Sequence, residues 1–421
     1  MMYRQENGRI SVFSWCLYDW ASSAFGTVII TFVYSLYFAR VVAGDETHGN
    51  VLWNYAIAAS GFLMALASPF LGAAADHYGA RKGFVLFFTI LCVVPAALLW
   101  FGAPGAVMLT LILVVVANFG VEQGIVFYNT MLPHIARPGA MGRLSGIAWG
   151  LGYLGGLFCL AAALFLLVGL GSIKPLIALP HDTYAHIRAT GPLVALWFAL
   201  FALPFFLFTH DNERTGRGMF EAMALGWRQL RETLGALRRH GNLARFLIAS
   251  AIYRDGLNTL FSGGAIYAGS TLGLKFQEVL LFGIGINVTA GIGAAICGWL
   301  DDYLGSKKTA LLSLAGLVVS GLAILLVDDK IVFIVIALVL GVFIGPAQSA
   351  SRTLVARLAP ENMIAQTYGL YAFTGKSVSF LGPLCFAAAT DIFDSQRAGM
   401  ATIILFWLAG MTLLTRVKER K

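Results

Sequence analysis

The stretch GAAADHYGARK (residues 72–82) returns in similar form as GWLDDYLGSKK (residues 298–308). In the first copy the repeated positions are Gly72, Asp76, Gly79, Arg81 and Lys82. Their counterparts, 226 residues later, are Gly298, Asp302, Gly305, Lys307 and Lys308. A polar segment that recurs after about half of the 421 residues predicts a chain built from two similar halves.

The composition of the chain excludes an ordinary soluble domain. Hydrophobic residues make up 58% of the sequence, charged residues only 12%, and the mean hydropathy is +0.78. Soluble domains carry about 25% charged residues, so this chain lacks the polar surface to face water on all sides. The sequence predicts an all-α integral membrane protein, because a membrane-spanning helix pairs all its backbone groups internally.

Twelve apolar runs reach the length of about 20 residues that a helix needs to cross a bilayer. They lie near residues 13–39, 52–75, 83–102, 105–131, 143–169, 191–209, 243–268, 277–299, 309–327, 331–356, 363–390 and 398–416. The predicted domains are therefore a six-helix half (1–209), a polar linker (210–242) and a second, pseudo-symmetric six-helix half (243–421). Both copies of the repeated hairpin fall on the same side of the membrane.

Lys and Arg are distributed unequally between the two sides of the predicted bundle. The side that carries both termini holds 21 of them, and the opposite side holds 6. Positive charge concentrates on the cytoplasmic side, so both termini are predicted to be cytoplasmic. Short termini and compact connections favour a bacterial inner membrane over a eukaryotic vacuole. Because topology accounts for the net charge of +8, no nucleic-acid partner is expected.

The hairpin pattern G-x-x-x-D-x-x-G-x-[RK]-[RK] in each half resembles the major facilitator superfamily of transporters. More narrowly, YDWASSAFGTVIITF (18–32) resembles the first helix of the bacterial "unknown major facilitator" family, which is related to autophagy-related vacuolar amino-acid effluxers of fungi. Similar stretches are FYNTMLPHIA (127–136), YRDG (253–256), QSASRTLVARLAP (348–360) and GLYAFTGKSVSFLGP (369–383). This chain has Ser22 where the family usually has Asn. The resemblance implies the major facilitator fold and a transporter, with amino acids among the expected solutes.

The repeated hairpins suggest two cytoplasmic latches. Gly72 and Gly298 would let neighbouring helices approach closely. Asp76 and Asp302 would pair with basic residues or cap a neighbouring helix terminus, in contacts that hold the halves in one state and break in the other. The alternative is that these charges serve topology alone.

Polar residues inside the apolar helices are the candidate site, because each charge costs ~2.5–3.5 kcal/mol at the membrane centre and needs a cavity or a partner. The predicted substrate or proton pathway is Asp19, Ser23, Glu122, Asn129, Arg254, Asp255, Asn258, Gln348, Arg352 and Lys376. The family resemblance implies that the first, fourth, seventh and tenth helices line the central path, and nine of these ten residues lie on them. Lys376 lies on the eleventh.

Opposite charges in this set indicate a zwitterionic or anionic solute. Arg254, Arg352 and Lys376 are candidates to bind a carboxylate, the arginines in bidentate fashion, while an opposing Asp takes an ammonium. Glu122 and Asp19 are candidates to carry a proton. The competing hypothesis is structural: Glu122 stays paired in every state, and the Asp residues only fix packing.

The linker and one external loop complete the polar segments. Phe220, Met223, Trp227, Leu230, Leu234 and Leu237 recur at spacings of three and four, with Arg228, Arg231, Arg238 and Arg239 between them. This pattern predicts an amphipathic helix on the cytoplasmic leaflet. The loop 170–190 contains His181, Asp182 and His186, whose number and spacing fall short of a metal site, so a solvated loop without metal is expected.

Transport by alternating access is the function that these features favour. No enzyme is expected, because the sequence lacks HExxH, GxSxG and a phosphate-binding loop. The alternatives are a transporter of sugars or drug-like solutes, or a membrane sensor or scaffold that transports nothing. The expected partners of the protein, taken as a monomer without cofactors, are a small-molecule solute, the lipid bilayer and, as a candidate coupling ion, the proton.

Overall fold

The computed structural model describes residues 8–169, 174–211, 215–216, 218–236, 241–271, 273–274 and 276–419, and this part of the chain is helical without strands. The first six long helices are α1 (Arg9–Val42), α2 (Glu46–Tyr78), α3 (Lys82–Phe101), α4 (Val107–Ile135), α5 (Met141–Val168) and α6 (Ala185–Phe208). The linker helix (Met219–Ala236) follows. The second six are α7 (Gly241–Ser270), α8 (Phe276–Leu304), α9 (Ser306–Leu325), α10 (Lys330–Leu358), α11 (Ile364–Val378 and Leu381–Phe393) and α12 (Gln396–Thr415).

The described helices agree with the predicted all-α membrane architecture. Within the described residues, ten helices are long and apolar enough to cross a membrane by length and composition. The two long helices that do not meet this criterion are α7 and α11. Helix α7 carries the charges of Arg254 and Asp255, which lower its apolar character. Helix α11 is interrupted, and its pieces of 15 and 13 residues are each too short to cross a membrane.

The chain divides into two compact units, whose boundaries differ from the midpoint of the sequence. The first unit consists of the described parts of Met1–Ala67, Gly79–Met131 and Leu151–Thr215. The second consists of the described parts of Ser68–Tyr78, Leu132–Gly150 and Gly216–Lys421. The last turns of α2 and the first turns of α5 therefore pack with the second half of the sequence.

Helix α11 corrects one prediction, since the sequence predicted a continuous helix over residues 363–390. The structure interrupts it at Ser379 and Phe380. Pro383 explains the break, because its ring lacks an N–H group and clashes with the carbonyl group four residues earlier. The first piece closes on itself, with the Ser379 hydroxyl donating to the Lys376 carbonyl oxygen at 2.9 Å. The stretch GYLGGL (152–157) of α5 resembles SFLGPL (379–384) of α11. Gly156 stands where α11 has Pro383, and α5 continues through this position without a break.

Glycines bring helix backbones into direct contact beside both repeated hairpins. A Cβ atom on Gly72 would collide with the Ala365 carbonyl oxygen, and one on Gly298 would lie 2.8 Å from the Gly142 carbonyl oxygen. Gly146 faces the Ala294 carbonyl oxygen in the same way. The α2–α11 and α5–α8 contacts of the second unit therefore depend on residues without side chains.

Gly146→Val is expected to lower the stability of the folded protein by about 1–3 kcal/mol, because overpacking at a closed contact forces backbone shifts. A Cβ atom there would also lie 2.9 Å from Gly298 Cα. The measurement is thermal unfolding of the detergent-purified protein, followed by tryptophan fluorescence. Gly83→Val is the matched control, since Gly83 is exposed and has nothing within 4 Å of a Cβ atom. Equal effects of the two substitutions would contradict the packing role of Gly146.

The amphipathic segment of the linker is helical, as predicted. Gly226 lies against the backbone of Ala73 and Ala74, and Trp227 contacts the Phe70 ring edge-on, with ring centroids 6.1 Å apart. Gln229 Nε2 donates to Gln366 Oε1 at 2.7 Å. One face of the linker helix thus packs on α2 and α11 within the second unit. Leu237, Arg238 and Arg239 lie outside the described residues.

Candidate functional site: helix caps and intramembrane charges

The two repeated Asp residues cap helices of the second unit. Asp76 Oδ1 accepts a hydrogen bond from the Ala365 N–H group at 2.9 Å, and Oδ2 accepts one from the Gln366 N–H group at 2.8 Å. These groups lie in the first turn of α11, where backbone N–H groups have no partner inside the helix. A carboxylate there also interacts favourably with the positive end of the helix dipole.

Asp302 makes the equivalent contact with α5. Its Oδ1 accepts from the Gly142 N–H group at 2.7 Å, and its Oδ2 accepts from the Arg143 N–H group at 3.1 Å and from Arg143 Nε at 2.9 Å. Of the two kinds of contact that the sequence suggested, Asp76 makes a helix cap and Asp302 makes a cap together with an ion pair. Both join residues from the two halves of the sequence.

Each hairpin contains a second cap, which the sequence did not predict. Asp211, after α6, accepts from the Arg81 and Lys82 N–H groups at 2.8 and 3.1 Å, and Lys82 Nζ donates to the Thr209 carbonyl oxygen at 2.6 Å. Glu419, after α12, accepts from the Ser306 and Lys307 N–H groups. Lys307 Nζ donates to the Thr415 carbonyl oxygen at 2.7 Å. The sequence offers one indication of these caps, because each carboxylate follows the sixth helix of its half.

The other hairpin residues hold the turns or point outward. Gly79 and Gly305 have φ angles of 90° and 97°, which a residue with a side chain rarely adopts. Arg81 is buried, and its Nη1 donates to the Thr130 carbonyl oxygen at 2.7 Å. Lys308 is exposed. The hairpin motif therefore combines turn, cap and anchoring residues.

Arg357 links two carboxylates of the second unit. It lies 3.1 Å from Asp301 Oδ1 and 2.7 Å from Glu419 Oε1. The Ser306 hydroxyl donates to the same Asp301 oxygen at 2.7 Å. Sequence reasoning missed Asp301 because the repeat aligns Asp302 with Asp76. The network ties α8, α9, α10 and the segment after α12 together.

In the first unit, Asp19 lies where α1 crosses α5. Asp19 is 9% exposed, and the Ser23 hydroxyl donates to its backbone carbonyl oxygen at 2.8 Å. A Cβ atom on Gly152 of α5 would lie 2.9 Å from that hydroxyl oxygen. Asp19 and Ser23 thus lie side by side on α1, as the helical spacing predicted, against a glycine of α5.

Helix α4 presents the other candidates of the first unit. Glu122 and Asn129 are half-buried, and both make interactions within the protein. Asn118 is buried and donates from Nδ2 to the Ser60 hydroxyl at 2.7 Å. Asn118 therefore serves α2–α4 packing, and Glu122 and Asn129, the two pathway candidates of this helix, are more accessible.

Asp255 caps the second piece of α11. It is 1% exposed, and its Oδ2 accepts from the Gly382 N–H group at 2.7 Å. Its Oδ1 is buried without a hydrogen-bond partner among the described residues. Gly382 must lack a side chain, because the Thr259 hydroxyl and Asp255 Oδ1 occupy the place of a Cβ atom. The carboxylate of α7 thus stabilises the break that Pro383 causes.

Arg254, the preceding residue of α7, reaches the first piece of α11. Its guanidinium carbon lies 4.1 Å from the centre of the Tyr371 ring, and Nη1 donates to the Tyr371 carbonyl oxygen at 3.3 Å. The side chain is only partly buried. Neighbouring opposite charges of α7 therefore contact the two pieces of α11, with the anion at the N-terminal end of the second piece.

Arg352 has a different environment, although the sequence grouped it with Arg254. It is 3% exposed, its Nε donates to the Ser145 hydroxyl at 2.9 Å, and its Nη2 donates to the Ser145 carbonyl oxygen at 2.6 Å. Its guanidinium also lies 5.6 Å from the centre of the Trp149 ring. These contacts anchor α10 to α5 within the second unit.

The remaining candidates of the second unit are more accessible. Gln348 and Lys376 are half-buried, and Asn258 is exposed. Gln348 and Lys376 both make interactions within the protein. The structure thus brings Arg254 to Tyr371 and Asp255 to Gly382, pairs that no spacing in the sequence indicates.

The order of the long helices and the hairpin motif in each half are typical of the major facilitator superfamily, and a comparison with solved structures agrees with this class. A solved protein described as the major facilitator superfamily proton:xylose symporter XylE, bound to 6-bromo-6-deoxy-D-glucose, has a similar fold. The TM-score is 0.75, with 100% of this chain and 98% of that one covered at 16% identity. The chain therefore has the fold of the major facilitator superfamily.

The family follows from the sequence. The family model described as "Vacuole effluxer Atg22 like" matches residues 41–421, so the chain belongs to the Atg22-like family. The uncharacterized MFS-type transporter YxiO of Bacillus subtilis (strain 168) is 26% identical, over 99% of this chain and 95% of that one. Autophagy-related protein 22 of Cryptococcus neoformans var. neoformans serotype D (strain B-3501A) is 24% identical, over 65% of this chain and 52% of that one. The chain thus spans about half of that fungal relative.

Proposed function

We propose that the protein is a secondary active transporter that carries a small zwitterionic solute, such as an amino acid, by alternating access. The observation that carries this proposal is how few hydrogen bonds the guanidinium group of Arg254 makes with the described residues. A guanidinium group has five N–H donors, and the described residues accept one hydrogen bond from Arg254. The remaining donors of a partly exposed arginine in a membrane helix suit a carboxylate, which arginine binds in bidentate fashion.

Arg352 does not support the same role. Its donors are engaged with Ser145, and its side chain is buried. Arg254 is therefore the proposed carboxylate-binding residue, with Lys376 as the second cation of the unit. The acidic counterpart for an ammonium group in the same unit is Asp255, whose Oδ1 has no hydrogen-bond partner among the described residues.

The Asp76 and Asp302 caps are the proposed latches of the transport cycle. They join α2 to α11 and α5 to α8, that is, segments from both halves of the sequence (1–209 and 243–421). Alternating access in transporters built from repeats moves one half against the other. These caps would then be intact in one state and broken in the next.

Counterflow in proteoliposomes tests the proposal directly. Vesicles loaded with unlabelled amino acids are diluted into a labelled amino-acid mixture, and label uptake is followed against protein-free vesicles and against labelled xylose. Saturable uptake of an amino acid would support the proposal. Uptake of xylose alone would favour the sugar alternative, which the XylE similarity does not establish because it concerns the fold. Absence of any flux from folded protein would favour a sensor or scaffold.

Glu122→Gln is expected to abolish accumulation driven by a pH gradient while leaving counterflow nearly unchanged. Counterflow exchanges solute without net proton movement, so it does not require the proton carrier proposed at Glu122. The exposed Glu221→Gln on the linker helix is the matched control. Gradient-driven accumulation that survives Glu122→Gln intact would exclude Glu122 and leave Asp19 as the candidate.

The proposed setting is a bacterial inner membrane with both termini in the cytoplasm. The unequal distribution of Lys and Arg supports this orientation. The same orientation places both repeated hairpins and the linker helix on the cytoplasmic side, and the loop between α5 and α6 outside. The protein is proposed to act as a monomer.

A further inference from the structure

The segment between α5 and α6 folds against the first unit. Leu176 and Ile177 donate backbone hydrogen bonds to the Phe165 and Leu166 carbonyl oxygens at the end of α5. Tyr184 lies 5.8 Å from Tyr37 of α1 between ring centroids. Farther along, Arg188 Nε donates to the Trp100 carbonyl oxygen of α3 at 2.7 Å. This segment therefore ties together the ends of four helices.

Two histidines meet in this segment. The sequence predicted a solvated loop, and this is wrong for His186, which is 8% exposed. His181 is exposed, and its ring lies against His186 with a centroid separation of 4.1 Å and an interplanar angle of 40°. The buried imidazole of His186 therefore has the imidazole of His181 as a polar neighbour.

The ring nitrogens of His186 have different partners. One makes a hydrogen bond to the Pro180 backbone carbonyl, so it carries the proton. Nδ1 is buried without a hydrogen-bond partner among the described residues, so Nε2 is the donor. The lone pair of Nδ1 is therefore available. Metal-binding histidines are typically held in this way, with the other ring N–H donating to a carbonyl group.

We propose that His181 and His186 together bind one divalent cation of the Zn²⁺ class. Two imidazoles on one tetrahedral ion, with Zn–N bonds of ~2.0–2.1 Å, have ring centroids roughly 5 Å apart. The observed rings are closer, so the proposal requires the exposed His181 to move outward when the ion binds. Water completes the coordination, since no group of three or more His, Cys, Asp or Glu side chains with metal-binding geometry occurs in the part of the chain that the structure describes.

Binding would link the loop to helix α6 and stabilise this end of the first unit. A ligand that binds only the folded protein raises its unfolding temperature. Histidine must be neutral to bind a metal, so affinity should fall at acidic pH, where protons compete with the metal for the ring nitrogens. The inference does not depend on transport activity.

The experiment is calorimetric titration of the full-length, detergent-purified protein with ZnCl₂. The protein carries no polyhistidine tag and is first treated with EDTA. We expect one Zn²⁺ per chain at pH 7.5, at least roughly 10-fold weaker binding at pH 5.5, and a raised unfolding temperature with Zn²⁺. His181→Ala and His186→Gln should each weaken binding by about 10-fold or more. His210→Ala is the matched control, because His210 is an exposed histidine on the segment after α6.

Two results would overturn the proposal. One is the absence of Zn²⁺ binding by the unmodified protein, and the other is binding that His181→Ala leaves unchanged. Because His181 is exposed, its substitution does not threaten folding, so the test stands even where His186→Gln disturbs the buried ring. The unfolding temperature without Zn²⁺, which should match that of the unmodified protein, checks this point.

Discussion

Arg254→Gln is expected to reduce amino-acid counterflow by roughly 30-fold or more while the protein stays folded. Truncating one partner of a buried, hydrogen-bonded charge pair costs about 2–5 kcal/mol, and each 1.4 kcal/mol is a tenfold change. Among the described residues, the substitution removes from the folded protein one hydrogen bond of 3.3 Å and the contact with the Tyr371 ring. The measurements are counterflow and thermal unfolding of the same preparations.

Arg352→Gln is the matched control, with the opposite expected pattern. Its guanidinium is buried and donates to the hydroxyl and the carbonyl oxygen of Ser145. Leaving such groups unpaired costs about 1–3 kcal/mol each, so the unfolding temperature should fall clearly. Full transport by Arg254→Gln would remove Arg254 from the solute site. A stable but inactive Arg352→Gln protein would move the carboxylate-binding role to Arg352.

Replacing Asp76 and Asp302 together by Ala is expected to open the contacts between α2 and α11 and between α5 and α8. A helix cap contributes about 0.5–2 kcal/mol, and a carboxylate at the helix dipole adds about 0.3–1 kcal/mol. Loss of both caps therefore costs about 2–6 kcal/mol, which shifts the balance between closed and open contacts by roughly 30-fold or more. Asp302 should contribute more than Asp76, because it also pairs with Arg143 at 2.9 Å.

The opening can be measured by maleimide labelling of Thr367→Cys in a protein whose own five cysteines are replaced. Thr367 is buried near the Asp76 cap, and in the described contacts its hydroxyl donates only to the Met363 carbonyl oxygen, just before α11. Labelling should accelerate roughly 30-fold or more in the double variant. Asp391→Ala removes an exposed carboxylate of α11 and should leave the rate unchanged. An unchanged rate in the double variant would mean that the caps do not latch the contact.

Much of the fold could be predicted because membrane helices are local in sequence. Each long helix follows from an apolar run, and the linker helix follows from its three-and-four spacing. The break in α11 was the exception, even though Pro383 is visible in the sequence. A proline in a membrane helix either kinks or interrupts it, depending on which groups satisfy the freed backbone. Here Asp255 satisfies the Gly382 N–H group, and Asp255 lies 127 residues earlier.

The candidate site could be predicted only as a set of residues. Arg254 and Arg352 are both arginines among apolar residues, and no local pattern separates them. In the tertiary structure Arg254 contacts Tyr371 and stays partly accessible, whereas Arg352 binds Ser145 and is buried. His186 shows the same limit, because its burial depends on the helix ends around it. Capping partners such as Ala365 and Gly142 are similarly distant from Asp76 and Asp302 in the chain.

The sequence by itself determined the membrane environment, the recurrence of the hairpin motif, the all-helical architecture and the family. These properties depend on composition, run length and motifs, all of which are read along the chain. Only the tertiary structure decided that Asp76 and Asp302 cap α11 and α5, that Asp255 holds a broken α11, and that Arg254 keeps donors available. The physical reason is that the cost of a buried charge or an unpaired N–H group specifies that a partner must exist, while helix packing selects which one.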